Sequence, residues 1–491
     1  MRYLYTNKEA KEIDTHAIQN MGIPSLVLME KAAMTVAAVL MEREKKDARI
    51  LAVCGTGNNG GDGIAVARIL HEMGYVAAIT IVGQSEHMSD ETKKQFEIAV
   101  NCQVPILSLT AIKEEPFDVI LDGVFGIGLS REISGVYEQI IHDMNQSDAR
   151  IYALDIPSGI HAGTGAVLGI AIKADCTITF GVNKIGLVLY PGCEFAGEVL
   201  VADIGFPQKS VTSVKATTYY YEPKDLFSNL PPRPRKSHKG TFGKVLVVAG
   251  CETMSGAAYL AAKAAYSMGA GLVKVVSTSN NREILLSSLP EILFASREEI
   301  QESLEWADAV VVGPGLGLSK ESENLMRYVI DNSPVPTVID GDGIRLCSNI
   351  TDTLSENFVL TPHVKEMSYL TGASVVELQE DLLGTTKDAA KEWNCILAQK
   401  DARTIVSDGK ACYVNVSGNN GMATGGSGDV LAGMIGGLLG QGMEPFMATK
   451  VAVYLHGLSG DVLAQEKSTY SLMASDIITG ISYVLRNGEE K

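Results

Sequence analysis

The sequence predicts an α/β protein of two domains, each built around a mostly parallel sheet. Short apolar runs alternate with longer amphipathic stretches through both halves of the chain, which is the element order of parallel sheets. The 491 residues exceed one ordinary core, since domains commonly hold roughly 100–200 residues. A proline-rich stretch at residues 230–236 interrupts the series. We place the boundary slightly before it, giving domains 1–214 and 215–491, because residues 217–221 form a β-prone stretch that can open the second domain.

The first domain opens with the start of a doubly wound sheet. Residues 50–54 are predicted as a buried strand, residues 55–63 as a loop, and residues 64–73 as a helix with apolar spacing. In such sheets ligands bind outside the carboxyl ends of the strands, so the loops after the strands are the candidate site. Further strands are predicted at residues 77–82, 119–122 and 151–155.

The loop after the first strand carries glycines in a dinucleotide-binding spacing. Gly55, Gly57 and Gly60 match GxGxxG, but no acidic residue closes the second strand, which disfavours a standard dinucleotide dehydrogenase. Three polar side chains in the same loop indicate instead a specific ligand or ion; they belong to Asn58, Asn59 and Asp62.

Carboxylates end two further strands of this half. Asp122 and Asp155 each precede a glycine-containing loop, and Ser158 lies in the second of these loops. Together with Asn59, the oxygens of Asp122 and Ser158 suit a hard cation, which leaves Asp155 for proton transfer. A structural alternative makes each aspartate a turn residue or a helix cap.

In the second half, one glycine-rich segment is the strongest indication of chemistry. Residues 425–428 let backbone amides approach an oxyanion at the start of a helix, whose positive end favours the same charge, and Asp429 follows as a candidate base. The alternative is a tight turn with Asp429 near a helix N-cap. The segment follows strands predicted at residues 244–249, 272–277, 309–313, 337–340 and 358–361, a strand that begins near residue 396, and a hairpin at residues 404–410.

Composition disfavours several classes of function. A formal net charge of −17 argues against a nucleic-acid partner, because polyanion-binding proteins use Lys and Arg to neutralise phosphates, but it allows a nucleotide pocket. The eight cysteines have no CxxC spacing, so we expect free thiols in a reducing compartment and neither a zinc site nor a disulfide framework. The N-terminus lacks a secretory apolar region and no run of about 20 apolar residues offers a membrane span, so we predict a cytoplasmic protein without a membrane partner.

The ordered motifs of the first half resemble the YjeF N-terminal family, which contains NAD(P)H-hydrate epimerases. They are GNNGGDG at residues 57–63, LDIPSG at 154–159, and TFG at 179–181 with Lys184, Pro191 and Gly192. The resemblance covers residues 1–214 and implies a Rossmann-like fold, with Asp155 handling the proton. It also implies a potassium ion held by Asn59, Asp122 and Ser158. The implied substrate contacts are Asn58, Asn59, Gly60, Gly61, Asp62, Gly126, Ile127, Gly128, Leu129, Ser130, Arg131, Glu132 and Asp155.

The second half, from about Tyr219, resembles the ribokinase-like superfamily and within it the ADP- or ATP-dependent NAD(P)H-hydrate dehydratases. The resemblance rests on SHKG at residues 237–240, GPGLG at 313–317 and GGSGD at 425–429. It implies that Asp429 helps the hydrate hydroxyl attack the terminal phosphoryl group, with Mg²⁺ present. The implied nucleotide contacts are Lys400, Asp401, Ala402, Arg403, Thr404 and Gly428, and the implied hydrate contacts are Ala257, Gly315, His363 and Asp429.

Two departures from the family pattern put binding details in doubt rather than the reaction class. Val364 and Lys365 stand where relatives have Pro-Gly, and residues 340–343 read Asp-Gly-Asp-Gly in place of Asp-Ala-Asp-Ala. Lys365 could change the affinity for the phosphate of the hydrate.

Together the two resemblances predict repair of hydrated NADH and NADPH (NADHX and NADPHX), with ADP or ATP as co-substrate. The alternative is a ribokinase-like small-molecule kinase that carries a non-catalytic binding or scaffold domain. Resemblance to bacterial bifunctional chains favours ADP, whereas the preference between NADHX and NADPHX stays open. A homo-oligomer is compatible with the family, but no surface stripe in the sequence identifies an interface.

Overall fold

The computed structural model describes residues 1–347 and 354–489 and divides into two compact units. One unit is Tyr3–Ala216; the other is Thr217–Lys491 together with Met1–Arg2. The division lies close to residue 214, where the sequence suggested a boundary. The proline-rich stretch at residues 230–236 falls inside the second unit.

The N-terminal unit contains a six-stranded sheet in which every neighbouring pair is parallel. Successive residues of the interior strand Arg49–Cys54 enter different buried clusters, Ile50 and Ala52 on one face and Leu51 and Val53 on the other, so both faces are covered. The strands follow the order Val76–Ile81, Arg49–Cys54, Val119–Gly123, Arg150–Leu154, Cys176–Phe180 and Glu198–Ala202. The helices are Asn7–Gln19, Ser25–Arg43, Asn58–Glu72, Asp90–Asn101, Ala111–Glu114, Val136–Asn145, Gly192–Phe195 and Gln208–Ser213.

One prediction in this unit is wrong, because the helix begins at Asn58 rather than at residue 64. Its first turns hold three glycines, a composition typical of a loop. The glycines instead allow close packing: a Cβ on Gly60 would lie 1.9 Å from the Gly55 carbonyl oxygen, and one on Gly55 would lie 2.1 Å from that of Val124. The helix start therefore packs directly on the backbone of the preceding turn.

The C-terminal unit has a larger, mixed sheet. Neighbouring strands are parallel except around Ile405–Ser407, which is antiparallel to both of its neighbours and forms the predicted hairpin with Cys412–Val414. The edge strand Leu293–Ser296 was not predicted, since it has four residues and only one of them is buried. The order is Thr218–Tyr220, Cys412–Val414, Ile405–Ser407, Ile396–Gln399, Phe358–Leu360, Thr337–Ile339, Ala309–Val312, Lys244–Val248, Leu272–Ser277 and Leu293–Ser296.

Helices cover both faces of this sheet, as alternate strand residues again enter two buried clusters. Helix Ser427–Gly440 packs closely on helix Ser255–Ser267, because a Cβ on Gly433 would lie 2.1 Å from the Ala261 carbonyl oxygen. This contact fixes the helix that begins with the glycine-rich segment. The helices are Pro223–Asn229, Ser255–Ser267, Asn281–Ser288, Ile300–Trp306, Lys320–Asn332, Asp342–Leu346, Val364–Thr371, Val375–Glu380, Leu382–Glu392, Ser427–Gly440, Pro445–Lys467 and Ala474–Glu489.

The structure also bears on the predictions about the cysteines and about membrane-spanning helices. All eight cysteines are free thiols. Across residues 1–347 and 354–489, none of the helices combines the length and apolar character that crossing a membrane requires.

Candidate active sites

A cavity of about 840 Å³ lies at the carboxyl ends of the strands of the N-terminal unit. Three of the predicted contacts, Gly60, Gly61 and Glu132, are not among the residues that line it. Others that line it had no predicted role, including Asp14 and Lys184. The predicted residues in its wall are Asn58, Asn59, Asp62, Gly126, Ile127, Gly128, Leu129, Ser130, Arg131 and Asp155.

Asp155 is held in the cavity wall by a buried lysine. It directly follows strand Arg150–Leu154 in the left-handed region, with φ of 65°. Its Oδ1 accepts hydrogen bonds from the Lys184 ammonium and from the Phe180 amide N–H (3.0 Å), and Lys184 is only 1% exposed. In the part of the chain that the structure describes, no hydrogen bond reaches Asp155 Oδ2 from the protein. That oxygen is therefore available to a ligand in the cavity.

The three predicted potassium ligands meet around the backbone of Phe125. The Phe125 N–H donates to Ser158 Oγ (2.8 Å), and its carbonyl accepts from Asn59 Nδ2 (3.0 Å). The Ser158 hydroxyl and amide donate to the two carboxylate oxygens of Asp122, at 2.6 and 2.7 Å. Asp122 is completely buried, which raises its pKa to about 6 although these hydrogen bonds oppose the shift.

The chemistry of these side chains fits a hard cation. They offer carboxylate, amide and hydroxyl oxygens, and among the described residues no Lys, Arg or His forms an ion pair with Asp122. Within the same residues, no group of three or more His, Cys, Asp or Glu side chains is arranged to hold a metal ion. A cation at this position would thus depend on mixed oxygen ligands and would offset the charge of one buried carboxylate.

A second cluster of charges surrounds Lys400 in the C-terminal unit. Its ammonium donates to Asp340 Oδ1 (2.7 Å) and lies 4.0 Å from Glu366 Oε2. Burial acts to lower the pKa of Lys400, but the negative charges of Asp340 and Glu366 outweigh it and the pKa is raised. Asp429 also interacts electrostatically with this lysine. Burial, reinforced by Asp340, raises the pKa of Asp429 to about 7.

The glycine-rich segment places the N-terminus of helix Ser427–Gly440 next to the charged side chains around Lys400. Gly426 caps helix Ser427–Gly440 with φ of 91°, and Asp429 lies in the first turn. A Cβ on Gly428 would lie 3.1 Å from the Lys400 ammonium and 3.6 Å from Asp340 Oδ2. The absence of a side chain at Gly428 thus leaves room between the helix N-terminus and Lys400, where an anion can approach the backbone amides.

We expect Gly428→Val to lower the rate of phosphoryl transfer by about 100- to 1,000-fold, because a side chain that keeps the phosphate away from the amides should cost as much as losing one oxyanion donor. The valine side chain would occupy the space next to Lys400. Single-turnover measurements with a saturating nucleotide would show the loss directly. The N-terminal activity of the same preparation serves as the control, and a near-normal single-turnover rate would contradict this role for the glycine.

The other predicted residues of this unit fall into separate groups. Ala257 and Gly315 are neighbours, since a Cβ on Gly315 would lie 2.8 Å from that of Ala257. His363 caps helix Val364–Thr371, where its Nδ1 accepts from the Glu366 N–H (3.1 Å). The remaining four follow Lys400 in the turn between strands Ile396–Gln399 and Ile405–Ser407; they are Asp401, Ala402, Arg403 and Thr404.

The glycines at residues 341 and 343 have a structural account, whereas nothing in the structure explains Val364 and Lys365. Gly341 adopts φ of 57°, which favours glycine, and a Cβ on Gly343 would lie 3.0 Å from the Gly313 Cα. Asp342 Oδ2 accepts from the Gly317 N–H (2.9 Å) and so ties the two loops together. Lys365 is exposed on the helix that His363 caps.

Glu366 and Asp340 were missed as site residues. Asp340 directly follows strand Thr337–Ile339, and a carboxylate at the end of a strand was the signal that identified Asp122 and Asp155. Glu366 completes a capping box with His363, a local pattern that conceals its second contact with Lys400. Burial raises the pKa of Glu366 to about 7.

Comparisons with known proteins match each half of the chain to a protein family. The family model described as NAD(P)H-hydrate dehydratase matches residues 245–482, and the model of the YjeF-related protein N-terminus matches residues 25–186. The bifunctional NAD(P)H-hydrate repair enzyme of Moorella thermoacetica is 36% identical over 100% of this chain and 98% of its own length. That of Coxiella burnetii is 34% identical over 97% and 98%.

A solved structure supports the fold assignment of the C-terminal unit. A ribokinase-like superfamily protein from Enterococcus faecalis is 30% identical and covers 56% of this chain and 97% of its own, with a TM-score of 0.51. The predicted fold class, two α/β domains with a YjeF-type N-terminal half and a ribokinase-like C-terminal half, is confirmed. The chain belongs to the family of bifunctional NAD(P)H-hydrate repair enzymes.

Proposed function

We propose that this chain repairs NADHX and NADPHX with two activities. The N-terminal unit interconverts the R and S epimers, and the C-terminal unit converts the S epimer to NAD(P)H, using ADP or ATP and releasing phosphate with AMP or ADP. One observation carries the proposal: at the carboxyl edge of its sheet, each unit has an aspartate that interacts with a lysine, Asp155 with the buried Lys184 and Asp429 with the partly exposed Lys400. The family match over both halves supports it against the kinase alternative, in which the first half would have no catalytic task.

Epimerisation requires the hydroxyl-bearing carbon of the hydrated ring to lose its configuration and then to adopt the opposite one. The lone pair of the ring nitrogen can open this carbinolamine if a neighbouring group moves the proton. Asp155 Oδ2 is free for that task, while Lys184 holds the other oxygen. Asp62 and Asp155 in the wall of the cavity are each only 8% exposed.

A potassium ion would be held by Asn59, Asp122 and Ser158. Bound there, it would neutralise the buried carboxylate and stabilise the loop around Phe125 that forms one side of the cavity. The protein's own contribution is to hold that loop against Ser158 by hydrogen bonds in the arrangement described above.

Potassium activation of the epimerase should weaken as the pH falls through about 6. Cation binding requires ionised Asp122, whose pKa is raised to about 6, so protons compete with the ion below that value. Epimer interconversion can be followed by NMR in potassium and in choline salts, at about pH 5 and at about pH 8. In the Asp122→Asn variant, the rate of epimer interconversion should be the same in potassium and in choline salts, at both pH values. Equal potassium activation at both pH values, or in the variant, would contradict the assignment.

In the C-terminal unit, Asp429 can accept the proton of the hydrate hydroxyl as it attacks the terminal phosphoryl group. The amides of residues 425–428 would stabilise the developing charge, and Lys400 would pair with the phosphate oxygens. Mg²⁺ would neutralise phosphate charge, bound mainly through the nucleotide with few protein ligands from the carboxylates around Lys400. Loss of phosphate then follows as the ring nitrogen donates its lone pair.

The dehydratase assignment is tested with purified S epimer, Mg²⁺ and either ADP or ATP. The absorbance of the reduced nicotinamide should return with a nucleotide and stay absent without one, and we expect ADP to be preferred. Release of inorganic phosphate should match the NADPH formed. A phosphorylated product that accumulates without NADPH would instead support the kinase alternative.

Partners and location follow from the same proposal. The partners are small molecules, the hydrates and the nucleotide, and no nucleic-acid role is proposed for a chain of net charge −17. Assembly into a homo-oligomer and a cytoplasmic location stay predictions. Light scattering of the purified chain measures the first, and fractionation of cells measures the second.

A further inference from the structure

Asp62 is a second buried carboxyl group in the wall of the N-terminal cavity. It lies in helix Asn58–Glu72, and it lines the same cavity as Asp155. Both residues are 8% exposed. Asp155 has Lys184 as its ion-pair partner, whereas across the described residues no hydrogen bond or ion pair joins the carboxyl group of Asp62 to a side chain or to the backbone. The carboxyl group of Asp62 is therefore available to form hydrogen bonds with a ligand in the cavity.

The charges that act on the pKa of Asp62 are negative. Burial, then the charges of Asp155 and Asp14, raise its pKa well above the ordinary value, and burial with the charges of Asp155 and Glu91 also raises that of Asp14. Behind the helix lie the buried thiol of Cys54 and the carboxylate of Asp122, neither of which is cationic. Besides Asp62, the charged side chains that line the cavity are Lys11, Asp14, Glu91, Arg131, Asp155 and Lys184.

Two cations of this unit are paired with other carboxylates. Lys184 forms its ion pair with Asp155, and Arg68, on the same helix as Asp62, forms an ion pair with Glu30 of the neighbouring helix. The raised pKa of Asp62 favours its protonated form, whereas Asp155 has the Lys184 ammonium as its ion-pair partner. Two carboxyl groups whose surroundings push their protonation apart commonly act as the acid and the base of one reaction.

We propose, on the basis of the epimerase activity proposed above, that Asp62 is the catalytic acid that works with Asp155 as the base. Asp62 gives its proton to the hydroxyl of the hydrate, the carbon–oxygen bond breaks, and the lone pair of the ring nitrogen forms a double bond to that carbon as water leaves. A water molecule then adds to the opposite face, its oxygen bonds to the carbon, and the electron pair returns to nitrogen. Asp155 accepts the proton released by this water.

The step balances without an oxidant or a further reactant. One water leaves and one adds, and the net transfer is one proton from Asp62 to Asp155. The enzyme then holds the reversed protonation state, which is the state needed to convert the opposite epimer, and exchange with cavity water restores the first state. The same pair thus serves both directions of the interconversion.

Asp62→Asn should lower the kcat of epimerisation by about 100-fold or more, the usual contribution of a positioned acid, with KM changed by only a few fold. In the wild type, the rate should fall as the pH rises and Asp62 loses its proton. This basic limb should be missing from the residual activity of Asp62→Asn. Asp14→Asn is the matched variant: removal of one nearby negative charge should move the basic limb to lower pH while the maximum rate is kept.

Labelled water tests the bond that breaks, and it uses the wild-type protein alone. In water labelled with oxygen-18, each inversion should place one solvent oxygen on the hydroxyl-bearing carbon. Inversion with retention of the original oxygen would overturn the proposed step. The dehydratase activity of the same chain shows in each variant that the C-terminal unit is intact, and circular dichroism with hydrate binding reports on the N-terminal unit.

These experiments distinguish failure of the acid role of Asp62 from failure of the epimerase activity itself. If the wild type epimerises and Asp62→Asn keeps its rate or its basic limb, the acid role of Asp62 is overturned and the epimerase stands. If Asp62→Asn raises KM with unchanged kcat, Asp62 only binds substrate, and the acid role is again overturned. A wild type that does not accelerate epimerisation would overturn both.

Discussion

The Asp429→Asn variant is expected to lose at least about 100-fold, and up to about 10,000-fold, in the rate of nucleotide-dependent dehydration, the range associated with removing a positioned base. The amide cannot accept the proton of the attacking hydroxyl, while its size leaves the helix start and the space beside Lys400 unchanged. The measurement is the return of reduced nicotinamide absorbance from purified S epimer, with nucleotide affinity determined separately. Nucleotide binding should change little.

The pH dependence gives an independent check on the same residue. Because burial raises the pKa of Asp429 to about 7, its basic form is depleted below that value. The wild-type dehydration rate should therefore decline as the pH falls through about 7 and level off above it. Asp429→Asn should lose this dependence, and its epimerase activity should match that of the wild type. A variant that dehydrates at the wild-type rate, or that keeps the same acid limb, would contradict the role of Asp429 as base.

The second large effect is expected from Asp155→Asn, which should lower epimerisation by about 100- to 10,000-fold and leave dehydration of pure S epimer intact. The amide cannot take up the proton. It also removes the charged partner of Lys184, which is 1% exposed, and breaking a buried pair by neutralising one partner commonly costs about 3–5 kcal/mol of unfolding free energy. Interconversion of the R and S epimers by NMR measures the first effect, and chemical denaturation of the N-terminal unit measures the second.

A double variant separates stability from catalysis at this position. Asp155→Asn with Lys184→Met removes the uncompensated buried charge, so most of the lost stability should return. Epimerisation should stay absent, because no carboxylate faces the cavity at residue 155. If the double variant regained activity together with stability, Asp155 would be a structural partner of Lys184 and not the group that moves the proton.

The sequence predicted the parts of both sites that depend on local patterns. Asp122 and Asp155 were identified because they lie at the ends of strands, at the edge where ligands bind, and Asp429 because it lies in the first turn of a helix. The glycine-rich helix start at Asn58 was mistaken for a loop, since local composition does not reveal that Gly55 and Gly60 pack on backbone.

Long-range pairings were beyond the reach of sequence patterns. Lys184 belongs to a recognised motif, but its pairing with Asp155 depends on the left-handed backbone at residue 155 and on the next strand along the sheet. Lys400 meets Asp340, which is 60 positions away in the chain. The polarity of Asp62 was noticed in the sequence, whereas its lack of a partner is visible only in the folded unit.

Recovery of NADPH from an equal mixture of the two NADPHX epimers tests most directly whether one chain carries both activities. The wild type, with ADP, Mg²⁺ and K⁺, should return all of the hydrate to NADPH faster than the epimers interconvert spontaneously. Asp155→Asn should stop at about half and continue only at the spontaneous rate, which serves as the internal reference. Recovery of only half by the wild type would contradict the epimerase assignment of the N-terminal unit, and no recovery with either nucleotide would contradict the repair function as a whole.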